Sequence, residues 1–177
     1  VKIDKPQKEN NRTFKTNFSP HQESYRDVLK VKNLSIGYDK ELSRVTFNVE
    51  RKDKLGIIGE NGIGKSTLLK TIMGFISPLG GKYTFGDKVN IGYFSQQLDN
   101  IDPSKTIYEE IDNAFPSMSP TEIRSLLGAF DFHGDEVFKN ISSLSGGEKV
   151  RVSLCKILNS RPNVLILDEP TNHLDII

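Results

Sequence analysis

The stretch Gly59-Glu60-Asn61-Gly62-Ile63-Gly64-Lys65-Ser66-Thr67 constrains this chain more than any other. It fits the phosphate-loop pattern G-x-x-x-x-G-K-[ST] and follows the short apolar run Leu55-Gly56-Ile57-Ile58, so the spacing predicts a strand, a tight loop and a helix. A polyphosphate must be approached by main-chain N–H groups, and Gly59, Gly62 and Gly64 keep side chains out of that approach. Lys65 then offers a mobile point charge to the β and γ phosphates, Ser66 a hydroxyl to Mg²⁺, and Thr67 a further hydroxyl near the α phosphate. The helix beginning there directs free N–H groups and its positive dipole end at the anion. Leu68, Leu69, Ile72 and Met73 form its apolar face, which stops at Gly74.

A second constellation lies near the end of the chain, at Asn163-Val164-Leu165-Ile166-Leu167-Asp168-Glu169-Pro170. It reads as a buried parallel strand ending in two carboxylates and a proline. Asp168 suits Mg²⁺ binding through water, and Glu169 suits polarising an attacking water. Between the two lies Leu144-Ser145-Gly146-Gly147-Glu148, opening a helix whose Val150, Leu154, Ile157 and Leu158 share a face. Ser145 and Glu148 form a capping box. Capping does not explain two first-turn glycines, each costing about 1 kcal/mol of helix stability; bare backbone there indicates close approach of a ligand.

The rest of the chain organises around these three stretches. Residues 1–27 are polar, broken by Pro6 and Pro20, and carry Lys2, Lys5, Lys8, Arg12 and Lys15 against Asp4 and Glu9 before Pro20. They read as a weakly structured linker, either a solvated tether or a basic arm touching nucleic-acid phosphates. Residues 28–36 and 44–49 alternate apolar with polar and predict antiparallel, half-exposed strands. Residues 82–85 and 89–94, flanking Gly86-Asp87-Lys88, predict another hairpin. From about 98 to 143 the period is helical, with capping boxes at Thr106/Glu109 and Ser119/Glu122.

The 177 residues leave room for one domain and a tail, and 36% hydrophobic and 27% charged residues are typical of a soluble globular protein. A net charge of +1 gives no whole-chain pull toward polyanions. The single Cys155 excludes an internal disulfide and, lying within a helical pattern, reads as a small buried or half-buried residue in a reducing compartment. No apolar run approaches the length of a membrane span and no signal core opens the chain, so the expected location is the cytoplasm.

With these three motifs in this order, residues 28–177 resemble the nucleotide-binding domain of ATP-binding-cassette (ABC) proteins. The resemblance implies an α/β P-loop NTPase fold with an antiparallel β subdomain and a small inserted helical subdomain. Leu144 to Gly147 match the family's signature, whose usual next residue is Gln; Glu148 departs from it. Glu148-Lys149-Val150-Arg151-Val152-Ser153-Leu154 and Asp168-Glu169-Pro170-Thr171-Asn172-His173-Leu174-Asp175 look like the F subfamily. The resemblance further implies that Tyr38 stacks on adenine and that Ser145, Gly146 and Gly147 close on ATP held by a different domain. It makes Gln96 the glutamine linking the Mg²⁺ site to the helical block, chosen over Gln97 because it follows Tyr93-Phe94-Ser95 as the family motif does. Asp175 would lie in the loop contacting the partner domain.

F-subfamily proteins carry two such domains in one chain and act on the ribosome as translation or antibiotic-protection factors, without a membrane part. The resemblance therefore implies an ATP- and Mg²⁺-dependent ATPase whose partners are a second nucleotide-binding domain, expected upstream, and the ribosome with its RNA. Residues 1–27 would be the end of the interdomain linker. The family's γ-phosphate histidine follows a strand after Asp175, and His21, His133 and His173 are not in its position, so the chain is expected to lack that part of the domain and to be inactive alone. The alternative, the ATP-binding subunit of a membrane transporter, uses the same ATP chemistry. A nucleotide sensor without hydrolysis is disfavoured by Glu169.

Overall fold

The computed structural model describes residues 20–95 and 97–169. The first two elements are strands, β1 (Asp27–Gly37) and β2 (Glu41–Glu50), paired antiparallel with Leu29 opposite Val49 and Val31 opposite Phe47. The alternation in β1 buries Val31, Leu34 and Ile36 and leaves Lys30 and Lys32 in solvent. The register breaks between Val31 and Leu34, where Asn33 takes a left-handed conformation and its N–H donates to Thr46 Oγ1 at 2.8 Å. Helix α1 (Lys65–Ile72) packs Leu68 and Ile72 on the buried face of β1. It ends in a Schellman turn, with Phe75 N–H donating to the Lys70 carbonyl and Gly74 N–H to that of Thr71.

The expected hairpin at residues 82–94 does not form. Strand β3 (Gly80–Phe85) pairs antiparallel with β1, giving a three-stranded sheet of order β2-β1-β3. Strand β4 (Ile91–Phe94) pairs parallel with β5 (Val164–Leu167), Ile91 opposite Val164 and Phe94 opposite Leu167. Gly86 N–H is already committed to the Val28 carbonyl, so the turn closes β3 onto β1 and releases β4 to a second sheet.

Two further expectations are corrected. Leu55 to Ile58 is not a strand: residues 53–60 are irregular, Leu55 and Ile57 are exposed, and Ile58 is 96% exposed. β5 is parallel as expected but not buried, since Leu165 and Leu167 lie open on one face. Both have the same physical cause. Among the described residues β5 is hydrogen-bonded only to β4, and Leu55 to Ile58 have no strand neighbour, so neither segment has its apolar side chains covered.

The helical block comprises α2 (Ile107–Ala114), α3 (Pro120–Ala129) and two short 3-10 turns at Gly134–Phe138 and Ile141–Ser143. Their core of Ile107, Ile111, Ile123, Leu127, Phe132 and Ile141 extends to Val152 and Cys155 on α4 (Gly146–Asn159), so Cys155 is fully buried as expected. Burial pushes its thiol up to about 12. α4 also lies on β4: a Cβ at Gly92 would come within 2.7 Å of Ile157 Cγ2, so only glycine permits this approach. The helix thus touches both the helical block and the sheet that carries Asp168.

Candidate functional site

Helix α1 starts without a side-chain cap and without an acid in its first turn. Its N-cap is Gly64 at φ 104°, and Gly62 stands at φ 84°, conformations that L-residues with side chains adopt at a cost. The first-turn N–H groups therefore have no capping side chain of the helix's own and are available to an anion. Lys65 folds over the loop, its Nζ donating to the Gly59 carbonyl at 2.8 Å and the Glu60 carbonyl at 2.9 Å.

Ser66 Oγ donates to Asp168 Oδ1 at 2.9 Å, joining the first turn of α1 to the end of β5 across 102 positions of sequence. Asp168 is held in place by its own N–H, which donates to the Phe94 carbonyl at 2.9 Å and extends the β4–β5 ladder. The next residue, Glu169, has φ 49°, a left-handed conformation uncommon for a glutamate, at the point where the chain leaves the strand. Asn61, Gly62, Gly64, Lys65, Ser66, Thr67 and Glu169 line an open cleft of about 500 Å³. Two stretches read separately in the sequence thus meet in one place.

The donor set fits a Mg²⁺ ion. A hydroxyl and a carboxylate in contact are hard oxygen ligands, and Mg²⁺ is usually held by one or two such groups together with substrate phosphates, not by a protein cage. Accordingly, no cluster of three or more His, Cys, Asp or Glu suited to a metal occurs among the described residues.

Tyr93 is a neighbour that sequence reasoning did not single out as a site residue. It lies opposite Ile166 in the β4–β5 register, and its ring packs 5.8 Å from that of Phe75. Burial, then the negative charges of Asp168 and Asp99, push its hydroxyl up to about 12. That hydroxyl is buried and faces the Asp168 carboxylate. Parallel pairing of β4 with β5 would have revealed it, and the hairpin expectation concealed that pairing.

Other expected residues are not drawn to this cleft. Gly59 and Glu60 act on it through their carbonyls, and Ile63 is exposed beside it. Tyr38 is 63% exposed and outside the lining. Ser145, Gly146 and Gly147 are also outside it. Ser145 caps α4, accepting from Glu148 N–H at 3.3 Å while Glu148 Oε2 accepts from Ser145 N–H at 2.8 Å. Gln96, Asp175 and His173 lie outside the described residues.

The family described as ABC transporter matches residues 42–172. ABC transporter F family member 5 of Arabidopsis thaliana is 40% identical over 167 residues, 92% of this chain and 24% of that protein. YdiF of Bacillus subtilis (strain 168), described as an ATP-binding protein, is 42% identical over 162 residues, 90% of this chain and 25% of its own length. The chain therefore spans about a quarter of the length of these curated relatives. Among solved structures, a Pyrococcus furiosus chain described as the ATP-binding protein of an ABC transporter superposes with a TM-score of 0.67. It is 27% identical, with 84% of this chain and 78% of that one covered.

Proposed function

Because the chain belongs to the ATP-binding-cassette family and has its P-loop NTPase fold, we propose that it is a nucleotide-binding cassette of an F-type ATPase. In this reading it binds ATP with Mg²⁺, hydrolyses it together with a second cassette, and spends that cycle on the ribosome as a cytoplasmic translation or antibiotic-protection factor. The observation that carries the chemistry is the Ser66–Asp168 hydrogen bond, which unites the phosphate loop with the carboxylate strand beside Lys65 and Glu169. Relatives named as F family members at 40% identity support the F-type reading. Among the described residues no helix is long and apolar enough to cross a membrane.

The residue roles follow from chemistry. Gly59 to Thr67 receive the phosphates on backbone N–H groups, and Lys65 turns its ammonium from the loop carbonyls to the β and γ oxygens. Ser66 and Asp168, with Gln96, would hold Mg²⁺, which when bound neutralises phosphate charge. Glu169 accepts a proton from the attacking water as its oxygen bonds to the γ phosphorus and the bond to ADP breaks. Tyr38 stacks on adenine, and Ser145, Gly146 and Gly147 face the ATP of the partner cassette.

The test is Glu169→Gln in the full-length protein. The amide keeps the side chain's size and loses its basicity, so Mg·ATP should still bind while turnover falls about 10²–10⁴-fold. With hydrolysis blocked, the same variant should co-sediment with ribosomes in ATP and not in ADP. Near-normal phosphate release would remove Glu169 from the reaction. Equal pelleting in both nucleotides, or none, would favour a transporter subunit.

A further inference from the structure

The three-stranded sheet has two faces of opposite chemistry. On the inner face Val31, Phe47 and Tyr83 pack into the core shared with α1. The outward positions Lys30, Lys32, Arg44, Asn48, Lys82 and Thr84 are all exposed, and none of them is apolar or acidic. Asn48 and Thr84 stand opposite Lys30 on its two sides, and Lys82 stands directly opposite Lys32. The acids of these strands are confined to strand ends, and each is engaged: Asp27 with Lys30 at 2.6 Å, Glu41 with Arg44 at 2.6 Å and Glu50 with Arg26 at 3.0 Å.

Lys32 and Lys82 are the exception to this pairing. Like charges directly opposite across a sheet are destabilising, and neither ammonium makes an ion pair among the described residues. A lysine on the edge strand β3 guards against strand addition, but β1 is the central strand, where Lys32 has no such task. An anion lying across both side chains removes the cost. Lys30 follows on the same face of β1, roughly 7 Å along the strand from Lys32. The net charge of +1 conceals a polarity that points the same way. Residues 98–145 hold three basic residues, Lys105, Arg124 and Lys139, against nine Asp and Glu, whereas residues 20–54 and 80–90 hold ten Lys and Arg against seven Asp and Glu. A polyanion is thus repelled from the helical block and drawn to the sheet.

We propose that the outer face of the β2-β1-β3 sheet is an RNA-backbone contact surface, with Lys32 and Lys82 sharing one phosphate group and Lys30, Asn48 and Thr84 continuing the track. This rests on the reading of the chain as a ribosome-acting ATPase and names the part of its surface that meets ribosomal RNA. Ammonium, amide and hydroxyl groups are the donors that phosphate and ribose oxygens accept from. No aromatic side chain stands among these outward positions to stack on a base, so the face holds the backbone without reading sequence. A protein partner would require an apolar anchor at the centre of the patch, and the centre here is the Lys32–Lys82 pair.

The experiment follows co-sedimentation of the full-length protein carrying Glu169→Gln with ribosomes in Mg·ATP as the salt concentration is raised. Adding Lys32→Gln and Lys82→Gln together should weaken binding about tenfold at about 150 mM salt and reduce the slope of log affinity against log salt by about 2. Lys32→Arg with Lys82→Arg, which keeps both charges, should stay within about threefold and retain the slope. Ultraviolet cross-linking of the complex should attach a ribosomal RNA nucleotide to peptides covering residues 28–36 or 80–88. With Glu169 intact, the double Gln variant should hydrolyse ATP without ribosomes within about twofold of the parent, since the face is remote from the cleft residues. Its melting temperature should be unchanged or higher, because the opposed like charges are gone. Unchanged affinity and slope, cross-links from this face to ribosomal protein alone, or a fall in melting temperature that accompanies weaker binding would each overturn the proposal. Absence of ATP-dependent pelleting by the reference protein would overturn the ribosome reading, and the RNA surface with it.

Discussion

At the residue scale the arrangement turns on Lys65. Its ammonium is satisfied by the Gly59 and Glu60 carbonyls, so the side chain lies over the loop and needs only a short swing to meet a phosphate. A charge-assisted hydrogen bond to an anion contributes about 1.5–3 kcal/mol. Lys65→Ala should therefore weaken ATP binding by the full-length protein roughly 10- to 150-fold, as read from titration of a fluorescent ATP analogue. Unchanged affinity would remove Lys65 from the phosphate site. Glu148 is a residue whose departure from the family pattern the structure explains. It occupies the third position of α4 and closes a capping box, a task that Gln performs equally, so the substitution conserves the helix start.

At the scale of the element, the four α-helices among the described residues have starts recognisable in the sequence, but for two reasons. α1 begins on a left-handed glycine with nothing capping it, leaving its N–H groups for a ligand. α2, α3 and α4 begin on Thr106, Ser119 and Ser145, each paired with a glutamate three positions on. Hydrogen bonds from the Thr106 N–H and hydroxyl hold the Glu109 carboxyl below its usual range, and the Ser119 and Ser145 hydroxyls and N–H groups do the same for Glu122 and Glu148. A carboxyl lowered in the folded state stabilises the fold above its unfolded value of about 4.3, and that stabilisation is lost as pH falls through the folded value. The melting temperature should accordingly fall as pH drops from about 6 toward 3, and in a Glu109→Gln, Glu122→Gln, Glu148→Gln triple variant the decline below about 4.3 should be shallower. Identical profiles would show that the boxes do not differ between folded and unfolded chains.

For the whole molecule, the separation of its parts decides what one chain can do. Lys65 and Glu169 share a cleft that Ser145, Gly146 and Gly147 do not line. If the signature serves a partner's nucleotide, residues 1–177 alone hold half of each of two sites. The isolated chain should show no appreciable ATPase activity in a phosphate-release assay, although its phosphate loop is intact. Leu55, Ile57, Ile58, Leu165 and Leu167 also present uncovered apolar surface, which favours self-association. A monodisperse isolated chain releasing phosphate in a manner abolished by Lys65→Ala would contradict this division.

The sequence by itself determined what is local in energy: the phosphate loop, whose conformation needs its own glycines; the helix starts, whose caps bond within four residues; and the β1–β2 pairing, where alternation and a short connection agree. It also named the residues that meet in the cleft, because a phosphate site needs those residue types wherever the chain brings them. Tertiary structure alone decided that β3 joins β1 while β4 joins β5, that Leu55 to Ile58 forms no strand, and that Tyr93 stands beside Asp168 and Glu110 beside Lys156. The physical reason is the same in each case. A strand is stabilised by its neighbours, and a buried charge by whatever packs against it, and those partners lie tens of residues away, where no local pattern records the choice.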